Sequence, residues 1–406
     1  MMTTKDTLKS LSQSHGLMPQ EEMLEVGQKK SNLYIGIPKE TSFQEHRVAL
    51  VPESVAVLAN NGHRVVVQRD AGKESNFSDT DYSEAGAEII DSVEDVFKAD
   101  ILLKVAPPSM KEIDMMQQRQ TLLSALQLTV QPKDFLKKLM NKRITAIAWD
   151  YVQDDEKIVP VVRAMGEIAG LASIQIAAEY LSNDNGGQGA ILGGISGVPP
   201  TEVVIIGAGT VGEFATRAAL GMGASVKVFD NNIYKLRRLQ QDIGTRVYTS
   251  IIQPTILKQA LSTADVAIGA IRARSGRTPC IVSEEMVEGM KDCSVVVDVS
   301  IDQGGCFETS SVTNHDNPTF MKHGVIHYCV PNIASRVSRT ASYALSNIFA
   351  PITINIGDKG GVENILHNNM GVRNGVYLYK GTLTNSYLGE TYNLPFKDLN
   401  LLMAAF

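Results

Sequence analysis

Residues 202–212 read EVVIIGAGTVG, and this stretch decides the fold of the central part of the chain. Its apolar run predicts a buried strand directly before the pattern G-x-G-x-x-G, which is formed by Gly207, Gly209 and Gly212. The first glycine permits a tight turn, the second lets the backbone approach a pyrophosphate, and the third allows close packing of helix on strand. The pattern predicts a helix from Gly212 onward and a dinucleotide at its N-terminus.

Asp230 adds a second feature of the same kind. A further apolar strand, Ser225–Phe229, leads into Asp230, which lies 23 residues after Gly207. An acid at this distance accepts hydrogen bonds from the hydroxyls of the adenosine ribose, and it repels the 2′-phosphate of NADP. The next arginine along the chain is Arg237. We therefore predict NAD as the cofactor; the alternative is a glycine-bearing strand–helix–strand unit that binds no ligand.

Short apolar runs alternate with helical segments on both sides of this stretch, which indicates mostly parallel sheets covered by helices. We predict an α/β fold with two doubly wound domains. Residues 161–339 form a central Rossmann NAD-binding domain; residues 33–160 and 340–406 form a discontinuous substrate domain, because the last segments are too small to fold alone. Residues 1–32 are polar and are predicted to be a flexible or loosely docked N-terminal arm; the alternative is an amphipathic docking helix around residues 19–26. The glycine-rich residues 186–200 are either a linker or backbone that approaches another group closely.

Composition and charge argue against several classes of partner. The chain has 406 residues with 38 basic and 44 acidic side chains, and its formal net charge of −6 argues against nucleic acid and anionic membranes. The longest uncharged stretch, residues 340–357, contains polar residues and a proline and does not predict a membrane span. The N-terminus lacks the apolar core of a signal peptide. We predict a cytoplasmic protein.

The cysteines and histidines do not predict a metal site. The four cysteines lack a C-x-x-C pair and are interpreted as buried, reduced thiols. The seven histidines include no H-E-x-x-H motif. His323 and His327 are four residues apart, but a glycine and a strand-like run separate them. Ordinary packed or solvated histidines explain this pattern.

Two basic residues in the first domain are candidates for contact with a substrate. Arg47 lies in the loop after the first strand, and Lys104 lies inside the apolar run ILLKVAPP, where a buried lysine needs a partner or a ligand. Facing a nicotinamide domain, the two would bind a small carboxylate substrate, Arg47 bidentately. The alternative is a surface arginine and a lysine that reaches solvent.

Asp302 is the candidate catalytic carboxylate. It belongs to IDQGG, residues 301–305, which directly follows an apolar strand-like run. The carboxyl end of a strand in a doubly wound sheet opens onto the ligand crevice, where a carboxylate can hold an ammonium or move protons. The alternative is an aspartate that caps a turn or a helix. An exposed aspartate has a pKa of about 4, which makes it a poor acid at neutral pH.

The chain resembles alanine dehydrogenase and, more distantly, the NAD-binding subunit of proton-translocating transhydrogenase. The resemblance extends from about residue 33 to about residue 380. It rests on the motifs IGIPKE, HRVALVP, ADILLKV, GEIAGLASIQIAA, GGISGVPP, VVIIGAGTVG, VDVSIDQGGCFE and SYALSN. The IDQGG element favours the alanine dehydrogenase branch.

This resemblance implies a homo-oligomer, usually a hexamer, that oxidises L-alanine to iminopyruvate with NAD before water releases ammonia and pyruvate. It implies that Arg47 grips the substrate carboxylate and that Asp302 lies where cofactor and substrate meet. The positions that it assigns to the cofactor are Gly207, Gly209, Gly212, Asp230, Lys235 and Asn332.

Two positions differ from the family's catalytic pattern. The motif K-V-K-E-P is KVAPP here, so that Ala106 replaces the lysine that touches the substrate carbonyl. Gln127, in SALQLTV, takes the catalytic place of the acid/base histidine, and its amide cannot exchange a proton near neutral pH. Asp150 stands where a glutamate is usual. These differences predict weakened or altered activity on an amino-acid or 2-oxo-acid substrate.

Two alternatives stay open beside a dehydrogenase with altered activity. One is an NAD-binding protein without efficient turnover, which would be regulatory or part of a hetero-oligomer. The other is a transhydrogenase-like subunit.

Overall fold

The protein is described by a computed structural model that covers residues 31–127, 131–273 and 276–404. Within these residues the chain forms two sheets in which parallel strand pairs dominate, each covered by helices. The predicted α/β fold with two doubly wound units is thereby confirmed. The predicted N-terminal arm lies outside the described residues, apart from its last two positions.

The strands are short, and most of them are buried. They are β1 (Tyr34–Ile37), β2 (Arg64–Gln68), β3 (Glu88–Ile90), β4 (Ile101–Leu103), β5 (Thr121–Ser124), β6 (Thr145–Ala148), β7 (Glu202–Ile206), β8 (Ser225–Phe229), β9 (Tyr248–Ser250), β10 (Val266–Gly269), β11 (Val295–Asp298), β12 (Thr319–Lys322), β13 (Val325–Tyr328), β14 (Val376–Tyr379) and β15 (Thr382–Leu383).

Helices cover both sheets. They are α1 (Pro52–Asn60), α2 (Asp79–Glu84), α3 (Val93–Val96), α4 (Met110–Met115), α5 (Lys133–Asn141), α6 (Pro160–Tyr180), α7 (Thr210–Gly221), α8 (Ile233–Ile243), α9 (Pro254–Ser262), α10 (Glu284–Glu288), α11 (Ser338–Asp358), α12 (Val362–Asn368), α13 (Met370–Asn374), α14 (Ser386–Tyr392) and α15 (Leu399–Ala404).

Both sheets have the same strand order about their centre. The first sheet runs β15-β14-β6-β5-β4-β1-β2-β3, and the second runs β12-β13-β11-β10-β7-β8-β9. In each, the chain builds outward on one side and then returns to build on the other, so that the order reverses between β1 and β4 and between β7 and β10. Such a reversal opens a crevice at the carboxyl ends of the strands, where ligands of doubly wound sheets bind.

The apolar strands reach both faces of each sheet. In β7, Val203 and Ile205 belong to one apolar cluster, while Val204 and Ile206 belong to a second cluster on the other face. A strand that alternates between two buried faces needs apolar residues at successive positions, which is why the motif reads VVII.

The C-terminal part of the chain returns to the first sheet. β14 pairs antiparallel with β6, and β15 pairs with β14. α11 packs in the apolar core of the same unit, where the Phe349 ring stacks on Trp149 with 3.6 Å between ring centroids.

The glycine-rich residues 186–200 follow α6, which connects the two sheets. A Cβ at Gly187 would lie 2.2 Å from the Tyr180 carbonyl oxygen, and a Cβ at Gly193 would lie 2.2 Å from that of Met222. The close approach expected of these glycines is therefore to the protein's own helix ends. Among the described residues, one helix is long enough and apolar enough to cross a membrane, and this helix is α6. Half of its most apolar 18-residue segment is buried inside the protein.

Two expectations differ from the structure. α7 begins at Thr210, two residues before the predicted start at Gly212, so the third glycine lies inside the helix. The cysteines are all free thiols, but only Cys306 and Cys329 are buried; Cys280 is exposed, because it lies in an irregular loop between β10 and α10.

Candidate functional site

The main candidate site is a cavity of about 350 Å³ between the two sheets, called here the interdomain cavity. Its walls come from the carboxyl ends of strands in both sheets, from the first half of α6 and from the start of α7. Its polar lining comprises Arg47, Gln127, Asp150, Arg272, Ser300, Asp302, Gln303 and Asn332. Arg47, Gln127, Asp302 and Asn332 are thus brought together as residues of one cavity.

Arg47 is fixed in the interdomain cavity by Glu45. Its Nε donates to Glu45 Oε1 at 2.6 Å and its Nη2 donates to Glu45 Oε2 at 2.5 Å. Burial alone would raise the pKa of Glu45, but the charge and hydrogen bonds of Arg47 hold it below its ordinary value. Asn332 Nδ2 also donates to Glu45 Oε2, at 3.1 Å, and so ties the two sheets together beside the guanidinium.

Asp302 projects into the cavity from a short 3₁₀ turn, Val299–Gln303, that follows β11. Its Oδ1 accepts a hydrogen bond from the Asn332 backbone N–H at 2.9 Å. Burial among the surrounding protein atoms raises the pKa of Asp302, although this N–H and the charge of Arg47 pull it back. The prediction of an ordinary pKa for Asp302 is therefore wrong, because the protein atoms around the cavity remove water from the carboxylate and disfavour its charged form.

Hydrogen bonds to the Asp298 carboxylate, at the end of β11, stabilise the turn that carries Asp302. The Asp298 carboxylate accepts from the backbone N–H of Ser300 at 3.0 Å, from that of Cys306 at 2.9 Å and from the Ser310 hydroxyl at 2.7 Å. Gly305 has a φ of +78°, and a Cβ there would lie 2.8 Å from Asp298 Oδ2. The IDQGG sequence is thus needed for the turn as well as for its carboxylate.

Gln127 is exposed on the cavity wall, after the end of β5. Its φ is +49°, and its backbone N–H donates to Asp150 Oδ2 at 3.3 Å. Asp150 Oδ1 accepts from the Leu126 N–H at 3.0 Å, so the carboxylate anchors this segment. Burial raises the pKa of Asp150. Its position on the cavity wall could not be inferred from sequence, because the bonds that place it join segments more than twenty residues apart.

Lys104 is placed differently from its prediction. It directly follows β4, and its Nζ lies 3.0 Å from Glu112 Oε1 and 3.1 Å from Glu40 Oε2, with all three side chains no more than 5% exposed. Burial would lower the pKa of Lys104, but the two carboxylates raise it above its ordinary value, so the side chain stays charged.

Lys104 is absent from the described lining of the interdomain cavity, so the predicted contact with the substrate is not supported by the geometry. The partner that a buried lysine requires is supplied by Glu40 and Glu112. Ala106 is also buried, with 2% exposure, and likewise lies outside the described lining.

A second cavity of about 600 Å³, called here the glycine-loop cavity, adjoins the first. The residues that line both are Val162, Gly166, Val211, Ala270, Ile271 and Arg272. Gly209 is the N-cap of α7, and a Cβ at Gly209 would meet nothing within 4 Å, which leaves open space at the start of the helix. A Cβ at Gly212 would lie 1.8 Å from the Gly207 carbonyl oxygen, so the turn cannot exist with a side chain there.

Asp230 lines the glycine-loop cavity with Lys235. Its carboxylate accepts from the Ala208 N–H at 2.8 Å and the Asn232 N–H at 2.7 Å, and Lys235 Nζ lies 3.8 Å from Oδ2. A buried carboxylate beside an open helix N-terminus fits the ribose and pyrophosphate of a dinucleotide. Gly207 is needed for close packing of the turn against the segment after β10, because a Cβ at this position would lie 2.4 Å from the Ala270 carbonyl oxygen.

Replacing Asp230 with alanine should weaken NAD binding by about ten- to a hundredfold, because a hydrogen bond to a charged group contributes about 1.5–3 kcal/mol. Discrimination against NADP should fall as well, because the repelling carboxylate is removed. Titrations with NAD and NADP measure both effects. Asp242→Ala, at an exposed position near the end of α8, is the control. An unchanged preference between NAD and NADP would contradict the assignment of Asp230.

Among the described residues, no group of three or more His, Cys, Asp or Glu side chains is placed to hold a metal ion. The histidines predicted to be ordinary have ordinary partners: His327 is buried and shares a hydrogen bond of 2.8 Å with the Thr309 hydroxyl. His323 pairs with Glu284 at 2.7 Å.

Comparison with known sequences gives matches over nearly the whole chain. Residues 36–169 match the family described as "Alanine dehydrogenase/PNT, N-terminal domain", and residues 173–386 match "Alanine dehydrogenase/PNT, C-terminal domain". Alanine dehydrogenase from Methanococcus maripaludis is 39% identical over 366 residues, which are 90% of this chain and 98% of the relative. Alanine dehydrogenase from Mycolicibacterium smegmatis is 40% identical over 373 residues, which are 92% and 100% of the two chains.

Solved structures give the same result for the fold. An L-alanine dehydrogenase superposes with a TM-score of 0.84 at 36% identity, covering 88% of this chain and 99% of that chain. A transhydrogenase from Sinorhizobium meliloti superposes with a TM-score of 0.74 at 22% identity, covering 87% and 99%, which is a likeness of fold.

Proposed function

Because the chain belongs to the alanine dehydrogenase/PNT family, we propose that it is an NAD-dependent amino-acid dehydrogenase of the alanine dehydrogenase type. The observation that carries the proposal is the junction of the two cavities. Arg47 and Asp302 line the interdomain cavity, which shares a wall with the cavity that contains Gly209 and Asp230. Arg47, which can bind a substrate carboxylate, and Asp302, which can transfer protons, thus lie next to the cavity that suits a dinucleotide.

The proposed reaction converts an L-amino acid, NAD and water into a 2-oxo acid, ammonium, NADH and a proton. NAD, when bound, supplies the acceptor for the hydride that leaves the substrate Cα. The residues that would hold it are those of the glycine-loop cavity, Gly209, Asp230 and Lys235, together with the N-terminus of α7; Asn332 would hold its nicotinamide end. Loss of the hydride turns the C–N single bond into the C=N bond of an imino acid, which water then cleaves.

Arg47 binds the substrate carboxylate in this scheme. A guanidinium has five N–H donors, of which Glu45 uses one on Nε and one on Nη2. Nη1 donates one proton to the Met165 sulfur at 3.2 Å, so its second proton and the second Nη2 proton are left for a ligand. Because Glu45 fixes the guanidinium, little side-chain entropy is lost when substrate binds.

Asp302 transfers protons in the same scheme. Its ionised form removes a proton from the substrate ammonium or from the attacking water, and its protonated form returns one to the leaving amine. The raised pKa of Asp302 brings it closer to neutral pH than that of an ordinary aspartate, which improves it for both tasks. Asp302 is nevertheless the one proposed group for proton transfer here, whereas the resemblance implies an additional acid/base histidine in other members of the family.

The replacement of that histidine by Gln127 supports slow turnover of alanine. Positioned acid/base catalysis contributes about 10²–10⁴ in rate, and an amide supplies none of it. Gln127 lies on the cavity wall, where a histidine would face the substrate.

Gln127→His should therefore raise kcat for alanine oxidation by at least about tenfold, because an imidazole has a pKa of about 6.5 and exchanges protons near neutral pH. Histidine also tolerates a φ of +49° better than most residues do. Steady-state NADH formation measures the effect, and Gln127→Asn, which keeps an amide, is the matched control. Equal rates for both variants would contradict a missing acid/base group at this position.

The alternative of an NAD-binding protein without turnover rests on the same glutamine. A panel of amino acids with purified protein and NAD, followed by NADH absorbance, separates the two functions. Turnover of any amino acid supports the dehydrogenase; NAD binding without turnover of any amino acid supports the alternative. The transhydrogenase-like alternative is supported by the family description, which names PNT beside alanine dehydrogenase, and by a likeness of fold.

We further propose a cytoplasmic homo-hexamer that acts on a small amino-acid or 2-oxo-acid substrate. The family membership and the free state of all four cysteines support this assignment. The exposed apolar side chains of Ile191, Ile195 and Val198 offer a surface that another subunit would cover.

A further inference from the structure

Arg272 is a charged residue of the interdomain cavity that the proposed function leaves unused. It follows β10 and lines both the interdomain cavity and the glycine-loop cavity. Its side chain makes neither a hydrogen bond nor an ion pair with any residue that the structure describes. A guanidinium in this state, in a ligand cavity, has all five of its donors available.

The two carboxylates of the cavity do not use Arg272 as a direct partner. Its charge acts on Asp150 and on Asp302 from a distance and opposes the effect of burial on both. Asp150 instead accepts from two backbone N–H groups, and Asp302 accepts from the backbone N–H of Asn332. The guanidinium therefore remains for a ligand that enters the cavity.

Arg47 and Arg272 reach the cavity from different sheets. Arg47 belongs to the loop between β1 and α1, and Arg272 follows β10 of the second sheet. Arg47 suffices for the one carboxylate of alanine, whose methyl group offers nothing to a second guanidinium. Arg272 is exposed at the cavity, and with alanine bound its guanidinium would gain no hydrogen-bond partner from the substrate.

We propose that the substrate is a 2-amino dicarboxylic acid of the aspartate or glutamate class, with its α-carboxylate on Arg47 and its side-chain carboxylate on Arg272. This inference rests on the proposed function, because it names the substrate class of the same reaction. The dicarboxylic amino acid, NAD and water give the 2-oxo dicarboxylic acid, ammonium, NADH and a proton. The apolar side chains of Val161, Val162 and Met165 line the same cavity and suit the methylene groups between the two carboxylates.

The test is reductive amination by the full-length protein with NADH and ammonium, followed by loss of NADH absorbance. The 2-oxo acids compared are pyruvate, oxaloacetate and 2-oxoglutarate. A bidentate guanidinium–carboxylate pair should give at least one of the dicarboxylic acids a kcat/KM about ten- to a hundredfold above that of pyruvate. Arg272→Ala should remove this advantage, so that the ratio of kcat/KM for the preferred dicarboxylic acid to kcat/KM for pyruvate falls to about one or below.

Arg119→Ala is the matched control, because Arg119 is an exposed arginine that precedes β5 at the opposite end of the first sheet. It should change none of these values. Arg272→Lys keeps the positive charge but loses the two parallel N–H donors that bind a carboxylate. It should therefore retain only part of the preference for the dicarboxylic acid over pyruvate.

The remaining outcomes separate this inference from the proposed function. A kcat/KM for pyruvate equal to or above that of both dicarboxylic acids overturns the inference and leaves the dehydrogenase intact. An equal loss for all three acids in Arg272→Ala, with weaker NADH binding, assigns Arg272 to the cofactor and also overturns it.

Without turnover of any acid, the proposed function fails, and calorimetric titration of the NADH-loaded protein decides the binding question. Tighter binding of 2-oxoglutarate than of pyruvate, lost in Arg272→Ala, would then support the dicarboxylate site. Equal or absent binding of the two would overturn it.

Discussion

Asp302→Asn should lower kcat for amino-acid oxidation by about 10²–10⁴, the usual worth of a positioned acid/base group. The change keeps the size of the side chain and an oxygen that can accept from the Asn332 N–H, so the turn around residue 302 should survive. NAD binding should change little, because the glycine loop and Asp230 are untouched. The measurements are the steady-state rate and an NAD titration on the same preparation.

The pH dependence of the wild-type protein gives an independent check on the role of Asp302. Burial raises the pKa of Asp302, so the carboxyl group stays protonated to a higher pH than an ordinary aspartate does. Oxidation needs the ionised base, and kcat/KM should therefore rise with pH through a midpoint above about 3.9, the ordinary aspartate pKa. Asp302→Asn should lack this rise. Asp184→Asn should retain it, because Asp184 is exposed in the connecting segment that follows α6 and does not line the described cavity. A rise that persists in Asp302→Asn would assign the base elsewhere.

Lys104→Met should destabilise the folded protein by about 3–5 kcal/mol, because it leaves two buried carboxylates without their cation. Glu40 and Glu112 both lie within 3.1 Å of Nζ, and burial already raises the pKa of Glu40. Urea unfolding measures the loss in the free energy of unfolding.

The matched control is Lys258→Met, which breaks an exposed pair with Glu285 and should cost at most about 1 kcal/mol. Unchanged stability in Lys104→Met together with a raised KM for the amino acid would restore Lys104 as a substrate residue and contradict its structural role. A variant too unstable to purify, beside a normal Lys258→Met, agrees with the prediction.

The fold was predictable from local patterns. The apolar strands, the glycines after β7 and the acid after β8 are signals that lie within a few residues or at a fixed distance, and the family assigned from them and the further motifs is confirmed by the matches over most of the chain. The strands β3, β9, β12, β14 and β15 were not predicted from the sequence, because they are only two to four residues long and all but β14 mix polar with apolar residues.

The site was only partly predictable, since its contacts join distant segments. Lys104 was recognised as a buried lysine that needs a partner, but Glu40 lies 64 residues away in sequence and is brought to it by the pairing of β1 with β4. The raised pKa of Asp302 arises from the walls of a cavity that two sheets form together. Neither property is encoded near the residue itself.

The rate of alanine oxidation by the wild-type protein tests the central claim most directly. The claim is that this cavity performs amino-acid oxidation with a carboxylate but without the histidine. The account predicts that NAD binds and that kcat for L-alanine at saturating NAD lies at least about a hundredfold below the roughly 10 s⁻¹ that is typical of enzymes. A kcat for L-alanine of about 10 s⁻¹ or more would contradict it, because Gln127 would then cost the reaction nothing.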